Sequence, residues 1–116
     1  MGTYVKAANT ADLENGAKKK LSVQGREIML AKAGGAYFAI DNRCPHMGGD
    51  LSEGTLEGVI ITCPRHGSQF DIMDGHNVRW MKGSGLMSKA FNSISSSKPV
   101  KSYKVKVEGD AVMIEI

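Results

Sequence analysis

Apolar and polar residues alternate with a period of two along most of the chain, in short runs separated by Gly, Asn and Asp. That period marks antiparallel strands, because successive side chains of a strand point to opposite faces. The pattern predicts strands over Tyr4 to Ala8, Lys18 to Val23, Glu27 to Ala33, Ala36 to Asp41, Gly54 to Glu57, Val59 to Thr62, Gln69 to Asp71 and Val78 to Trp80. Lys101 to Glu108 and Ala111 to Ile116 complete the set. Gly34-Gly35 and Gly109-Asp110 separate adjacent runs as tight hairpin turns do. Thr10 to Gly16 reads as a one-turn connection, with Thr10 as its cap and Gly16 as its end. The expected fold is all-β, an antiparallel sandwich or small barrel.

Gly83 to Lys98 breaks the pattern. It is long for a connection and rich in Ser, and Leu86, Met87, Ala90, Phe91 and Ile94 fall at near-helical spacing, so a short amphipathic helix is expected there.

The chain has 116 residues, one domain by length, with room for one core but not for a catalytic domain beside it. No apolar run approaches the roughly 20 residues that span a bilayer, and Met-Gly-Thr-Tyr-Val-Lys at the start lacks the apolar stretch of a secretory signal. A formal charge of +3 is mild. Lys18-Lys19-Lys20 is the densest basic run and is expected on a solvated strand face or loop. Nucleic-acid binding needs a broader basic surface interleaved with aromatics, so no nucleic-acid partner is expected. The slight positive balance favours an acidic protein partner.

The chemistry is concentrated in two short segments. Cys44-Pro45-His46 and Cys63-Pro64-Arg65-His66 each combine a thiol and an imidazole, and sixteen residues separate the first histidine from the second cysteine. Soft sulfur and borderline nitrogen within one turn of backbone, repeated on two loops, is a metal-ligand pattern. A tetrahedral zinc site is one reading of a Cys2His2 set, although structural zinc sites usually group Cys with Cys and His with His. The other reading is a centre of two metal atoms, one taking both sulfurs and the other both nitrogens. The loops follow strands ending at Asp41 and Thr62, which places the centre at one tip of the fold, on a subdomain spanning about residues 42–72 of the single domain 1–116.

The second reading resembles the Rieske 2Fe-2S proteins, in which two Cys hold one iron and two His the other. The resemblance covers Cys44-Pro45-His46-Met47-Gly48-Gly49 and Cys63-Pro64-Arg65-His66-Gly67-Ser68-Gln69-Phe70-Asp71. It implies an antiparallel β-sandwich of Rieske type and a 2Fe-2S cluster held by Cys44, His46, Cys63 and His66. Respiratory members carry an extra, mutually bridged Cys in each loop, where Gly49 and Arg65 stand here, so these loops must be held by hydrogen bonds and by the cluster. The family usually has a Pro in the connection after this region, and none occurs here before Pro99.

With both irons ferric, two thiolates and two bridging sulfides leave a neutral core, where four thiolates would leave a dianion. Adding an electron to the neutral centre is easier, so the potential rises. Rieske centres span about −150 to +300 mV against about −400 mV for plant-type ferredoxins. The resemblance implies that the Ser68 hydroxyl donates to a bridging sulfide, and that Phe70 occupies a position where high-potential members carry a Tyr donating to a ligand sulfur. One donor kept and one absent imply an intermediate or low potential, which Ser68→Ala lowers and Phe70→Tyr raises. Gly48, Gly49 and Gly67 are expected to let loop backbone approach the cluster, and Met47 to cover it. Histidine ligands that retain a proton imply a midpoint that falls once the oxidised form deprotonates. His76, in Asp74-Gly75-His76-Asn77, is read as a turn residue with no ligand role, and Trp80 and Met81 as core.

The expected function is a soluble, cytoplasmic one-electron carrier, taken as a monomer. It would pass electrons from a reductase, by resemblance a flavin-dependent NADH enzyme, to an acceptor such as the terminal oxygenase of an aromatic-ring dioxygenase. Both cysteines are claimed by the site, which suits a reducing compartment. A zinc-stabilised interaction module and a cluster-based redox sensor are the alternatives.

Overall fold

The computed structural model describes residues 3–45, 49–64, 67–79 and 99–116. Among these lie the strands β1 (Tyr4–Asn9), β2 (Lys18–Val23), β3 (Arg26–Ala33), β4 (Ala36–Asp41), β5 (Thr55–Glu57), β6 (Ile60–Thr62), β7 (Gln69–Asp71), β8 (Asn77–Arg79), β9 (Ser102–Tyr103), β10 (Val105–Glu108) and β11 (Ala111–Glu115). Short 3-10 turns cover Thr10–Asp12 and Leu51–Glu53. No helix of the described residues is long and apolar enough to cross a membrane.

Among the described residues all the strand pairs are antiparallel, in three sheets ordered β1-β11-β10, β2-β3-β4-β9 and β5-β6-β7-β8. The second sheet is the middle layer. Ile28, Leu30 and Ala39 pack with Ala8, Val112 and Ile114 of the first sheet. Met29, Ala31 and Ile40, on the opposite face, pack with Leu51, Ile61, Phe70 and Ile72 around the third sheet. Ile28, Met29, Leu30 and Ala31 are therefore all fully buried. This part of β3 is an unbroken apolar run, as a strand covered on both faces requires. Each large side chain buried here contributes about 1.5–3 kcal/mol.

Most of the predicted strands stand within a residue of the expected bounds, and Gly34-Gly35 forms the β3–β4 turn. Three expectations are corrected. Lys101 to Glu108 is two strands, since β9 pairs with β4 and β10 with β11; the chain changes sheets at Lys104, whose carbonyl accepts the Glu115 N–H at 2.9 Å. The first 3-10 turn is capped at Asn9 and not Thr10, because the Asp12 carboxylate accepts the Asn9 N–H at 2.9 Å. The eighth strand begins at Asn77, whose side chain donates to the Gln69 carbonyl at 3.2 Å. The expected helix within Gly83 to Lys98, and the core roles of Trp80 and Met81, lie outside the described residues.

Candidate metal centre

The first cysteine loop leaves β4 at Asp41, and Asn42 organises it. The Asn42 N–H donates to the Glu27 carbonyl at 3.0 Å, its own carbonyl accepts the Leu51 N–H at 2.7 Å, and its side-chain Oδ1 accepts the Ser52 N–H at 2.9 Å. Arg43 and Asp50 face each other as an isolated β-bridge. Above them the Cys44 N–H donates to the Gly49 carbonyl at 2.8 Å. A short polar side chain that bonds backbone beyond its own strand is what lets this excursion fold without a sheet beneath it.

The second loop grows straight from the β6–β7 hairpin, whose last rung pairs Thr62 with Gln69. The Cys63 N–H donates to the Ser68 carbonyl at 2.7 Å, and the Gly67 N–H, at φ +76°, donates to the Cys63 carbonyl at 3.2 Å. Gln69 adds a side-chain bond from Nε2 to Thr62 Oγ1 at 3.2 Å. Both loops thus share one closure, from the cysteine N–H to the carbonyl five residues on.

Cys44 and Cys63 are buried, form no disulfide and belong to the same apolar cluster as Leu51, Ile61, Phe70 and Ile72. Gly49, Gly67 and Ser68 are buried beside them in the loops, and Phe70 is wholly enclosed. Pro45 and Pro64, next in sequence to each cysteine, are exposed. The expected sites His46, Met47, Gly48 and His66 lie outside the described residues. The bases of the loops meet at Gly54, where a Cβ would lie 1.9 Å from the Thr62 carbonyl oxygen, so no larger residue fits. Two buried thiols on matched loops suit a bound cation, because thiolates enclosed in apolar surroundings need positive charge to offset desolvation.

Sequence reasoning missed Asn42 and Gly54. The signal for the former was a residue prone to side-chain-to-backbone bonding, placed between a strand end and a cysteine. It also placed Lys18 to Lys20 on a solvated face or loop. Lys19 and Lys20 are indeed exposed on β2, whereas Lys18 is half-buried and its Nζ donates to the Ser52 carbonyl at 2.6 Å. Lys20 Nζ lies 3.4 Å from Asp50 and 3.6 Å from Glu27. The hydrogen bond and charge of Asp50, with help from Glu27, hold the Lys20 ammonium above its usual range.

At the other end of the third sheet, His76 is exposed, as its turn position predicts, with Nδ1 at 2.6 Å from Asp74 Oδ1. The His76 N–H donates to the same oxygen, and this lowers the Asp74 carboxyl from its ordinary value. Asp71, Asp74 and His76 bring their ligand atoms within 4.8 Å of one another. Asp71 Oδ1 already accepts the Met73 N–H at 2.8 Å, so the group is accounted for as a turn.

The Rieske [2Fe-2S] domain family matches residues 3–104, and the chain belongs to that family. Its cofactor is accordingly a 2Fe-2S cluster. It is similar, at 33% identity over 97% of this chain and 95% of the relative, to the ferredoxin component of the naphthalene 1,2-dioxygenase/salicylate 5-hydroxylase systems of Ralstonia sp. The ferredoxin component of the naphthalene 1,2-dioxygenase system of Pseudomonas putida is 31% identical, with the same coverage of both chains. Among solved structures, the ferredoxin of carbazole 1,9a-dioxygenase from Nocardioides aromaticivorans superposes with a TM-score of 0.77 at 27% identity, covering 97% of this chain and 96% of that one.

Proposed function

We propose that this protein is a soluble Rieske-type ferredoxin of the cytoplasm, carrying single electrons from a reductase to the terminal oxygenase of a multicomponent ring-hydroxylating dioxygenase. The observation that carries the reading is the pair of buried thiols on loops closed by the same hydrogen bond, in a chain of the Rieske family. Relatives that align from end to end are named as ferredoxin components of such systems. Electron carriage, and not turnover of a substrate, is the task that name describes.

The ligands in this reading are Cys44 and Cys63 on one iron and His46 and His66 on the other, within a cluster-binding subdomain of the single domain, about residues 42–72. When bound, the cluster supplies one reversible electron. The chain's own residues do the rest. Cys44 and Cys63 hold their thiolates inside apolar packing, which keeps water from the sulfur side. Gly49 and Gly67 keep the loop backbone close, Met47 and Gly48 complete the first loop, and Ser68 offers a hydroxyl from a fully buried position. Phe70 offers no donor where a Tyr would, which keeps the potential intermediate to low. Thiolate ligands and the lack of any disulfide suit a reducing compartment, hence the cytoplasm.

The test is a visible absorption spectrum of the purified protein with iron and acid-labile sulfide analysis, followed by anaerobic titration with a flavin reductase. Two irons and two sulfides per chain and full reduction by the reductase are expected. A colourless protein holding zinc would overturn the cluster assignment. A coloured protein that no reductase reduces would overturn the carrier role.

A further inference from the structure

We propose that Lys18 and Lys20 are positioning residues for the first ligand loop, bracing it from strand β2 and placing positive charge on the cluster side of the middle sheet. The inference rests on Cys44 being a ligand, as proposed above.

The register of β2 on β3 separates the three lysines. Lys18 pairs with Ala31 and Lys20 with Met29, whereas Lys19 pairs with Leu30. Directly opposed residues of an antiparallel pair share a face. Ala31 and Met29 belong to the buried cluster that contains Cys44 and Cys63, while Leu30 packs toward the first sheet. Lys18 and Lys20 therefore stand on the cysteine side and Lys19 on the other.

On that side both ammonium groups reach the returning limb of the first loop. Lys18 Nζ bonds the Ser52 carbonyl, and Lys20 Nζ approaches the Asp50 carboxylate. Ser52 in turn donates its N–H to Asn42 Oδ1, and Asp50 bridges Arg43. The path from β2 to Cys44 thus runs through two residues that close the loop. The Lys18 bond is charge-assisted and half-buried, so it outweighs the exposed Lys20 ion pair. The second loop needs no such brace, since its hairpin ladder continues to Thr62 and Gln69.

The experiment uses the cluster-loaded full chain and the variants Lys18→Met, Lys20→Met, Lys19→Met and Lys18→Arg. Bleaching of the visible absorption in excess iron chelator reads loop retention, and a redox titration reads the midpoint. Lys18→Met should bleach several-fold faster than the parent and titrate at a more negative midpoint, because a cation has left the cluster side. Lys20→Met should shift the midpoint in the same direction with a smaller change in rate. Lys19→Met should match the parent in both, and Lys18→Arg should restore the midpoint. Isolation of Lys18→Met without cluster, beside a loaded Lys19→Met, also supports the brace. If Lys18→Met and Lys20→Met both match Lys19→Met in rate and midpoint, the brace is overturned while the carrier reading stands. A parent protein without a cluster overturns both.

Discussion

The two cysteine loops reach the same end by different means. The second is the tip of a β-hairpin, and its ladder, its Cys63 closure and its Gln69 side chain form one continuous local structure. The first has no hairpin under it. It is assembled from distant parts: Glu27 of β3, Asn42 at the strand end, the turn at Leu51–Glu53 and Lys18 of β2. Matched backbone closures at Cys44 and Cys63 therefore conceal unequal dependence on the rest of the fold. Local contacts form with little loop entropy to overcome, whereas a loop held by remote residues inherits every weakness of its supports.

The comparison breaks most severely at the junction of the loops. Gly54→Ala drives a Cβ into the Thr62 carbonyl oxygen, one residue before Cys63, and both loops should suffer together. A loss of on the order of 3 kcal/mol in chemical denaturation is expected, with reduced cluster content. Asn42→Ala should strike the first loop alone. It strips the acceptor from the Ser52 N–H, so thermal unfolding should report a loss of about 1–3 kcal/mol. The side-chain Nδ2 of Asn42 has no partner among the described residues, so removing it recovers part of that cost.

Gln69→Ala is the matching change in the second loop and should be milder, about 0.5–1.5 kcal/mol by the same measurement, since the ladder bonds remain. Equal losses in Asn42→Ala and Gln69→Ala would refute the asymmetry. The smallest effect concerns pH at the root of the first loop. Burial, and then the hydrogen bond to Asp41, raise the Tyr103 hydroxyl above its ordinary value. A raised folded value adds stability that is complete below the unfolded pKa, about 10, and is lost as pH climbs through the folded one. Alkaline melting curves should show that decline in the parent and a flatter one in Tyr103→Phe.

Strand positions were legible because alternation depends only on which face is wet, and the two outer sheets each pack one face on the middle layer. The layering was not. The run Ile28 to Ala31 carries no alternation, and only the placement of two other sheets explains why. The cysteines stood out through spacing and resemblance, and the structure buries both in one apolar cluster. The supports of the first loop were hidden because they join residues far apart in sequence, such as Lys18 and Ser52. Nothing local distinguishes a lysine facing water from one facing a carbonyl across the next layer.

The strand enclosed on both sides carries a consequence for how this molecule tolerates mutation. Neighbouring positions of β3 serve opposite layers, so a swap meant to repack Leu30 against the first sheet shifts the backbone that carries Met29 and Ala31 toward the cysteines. The outer sheets have exposed positions on which change can accumulate, and the stretch Ile28 to Ala31 has none. Drift in the layer remote from the cysteines is thereby constrained by the packing around the cysteines.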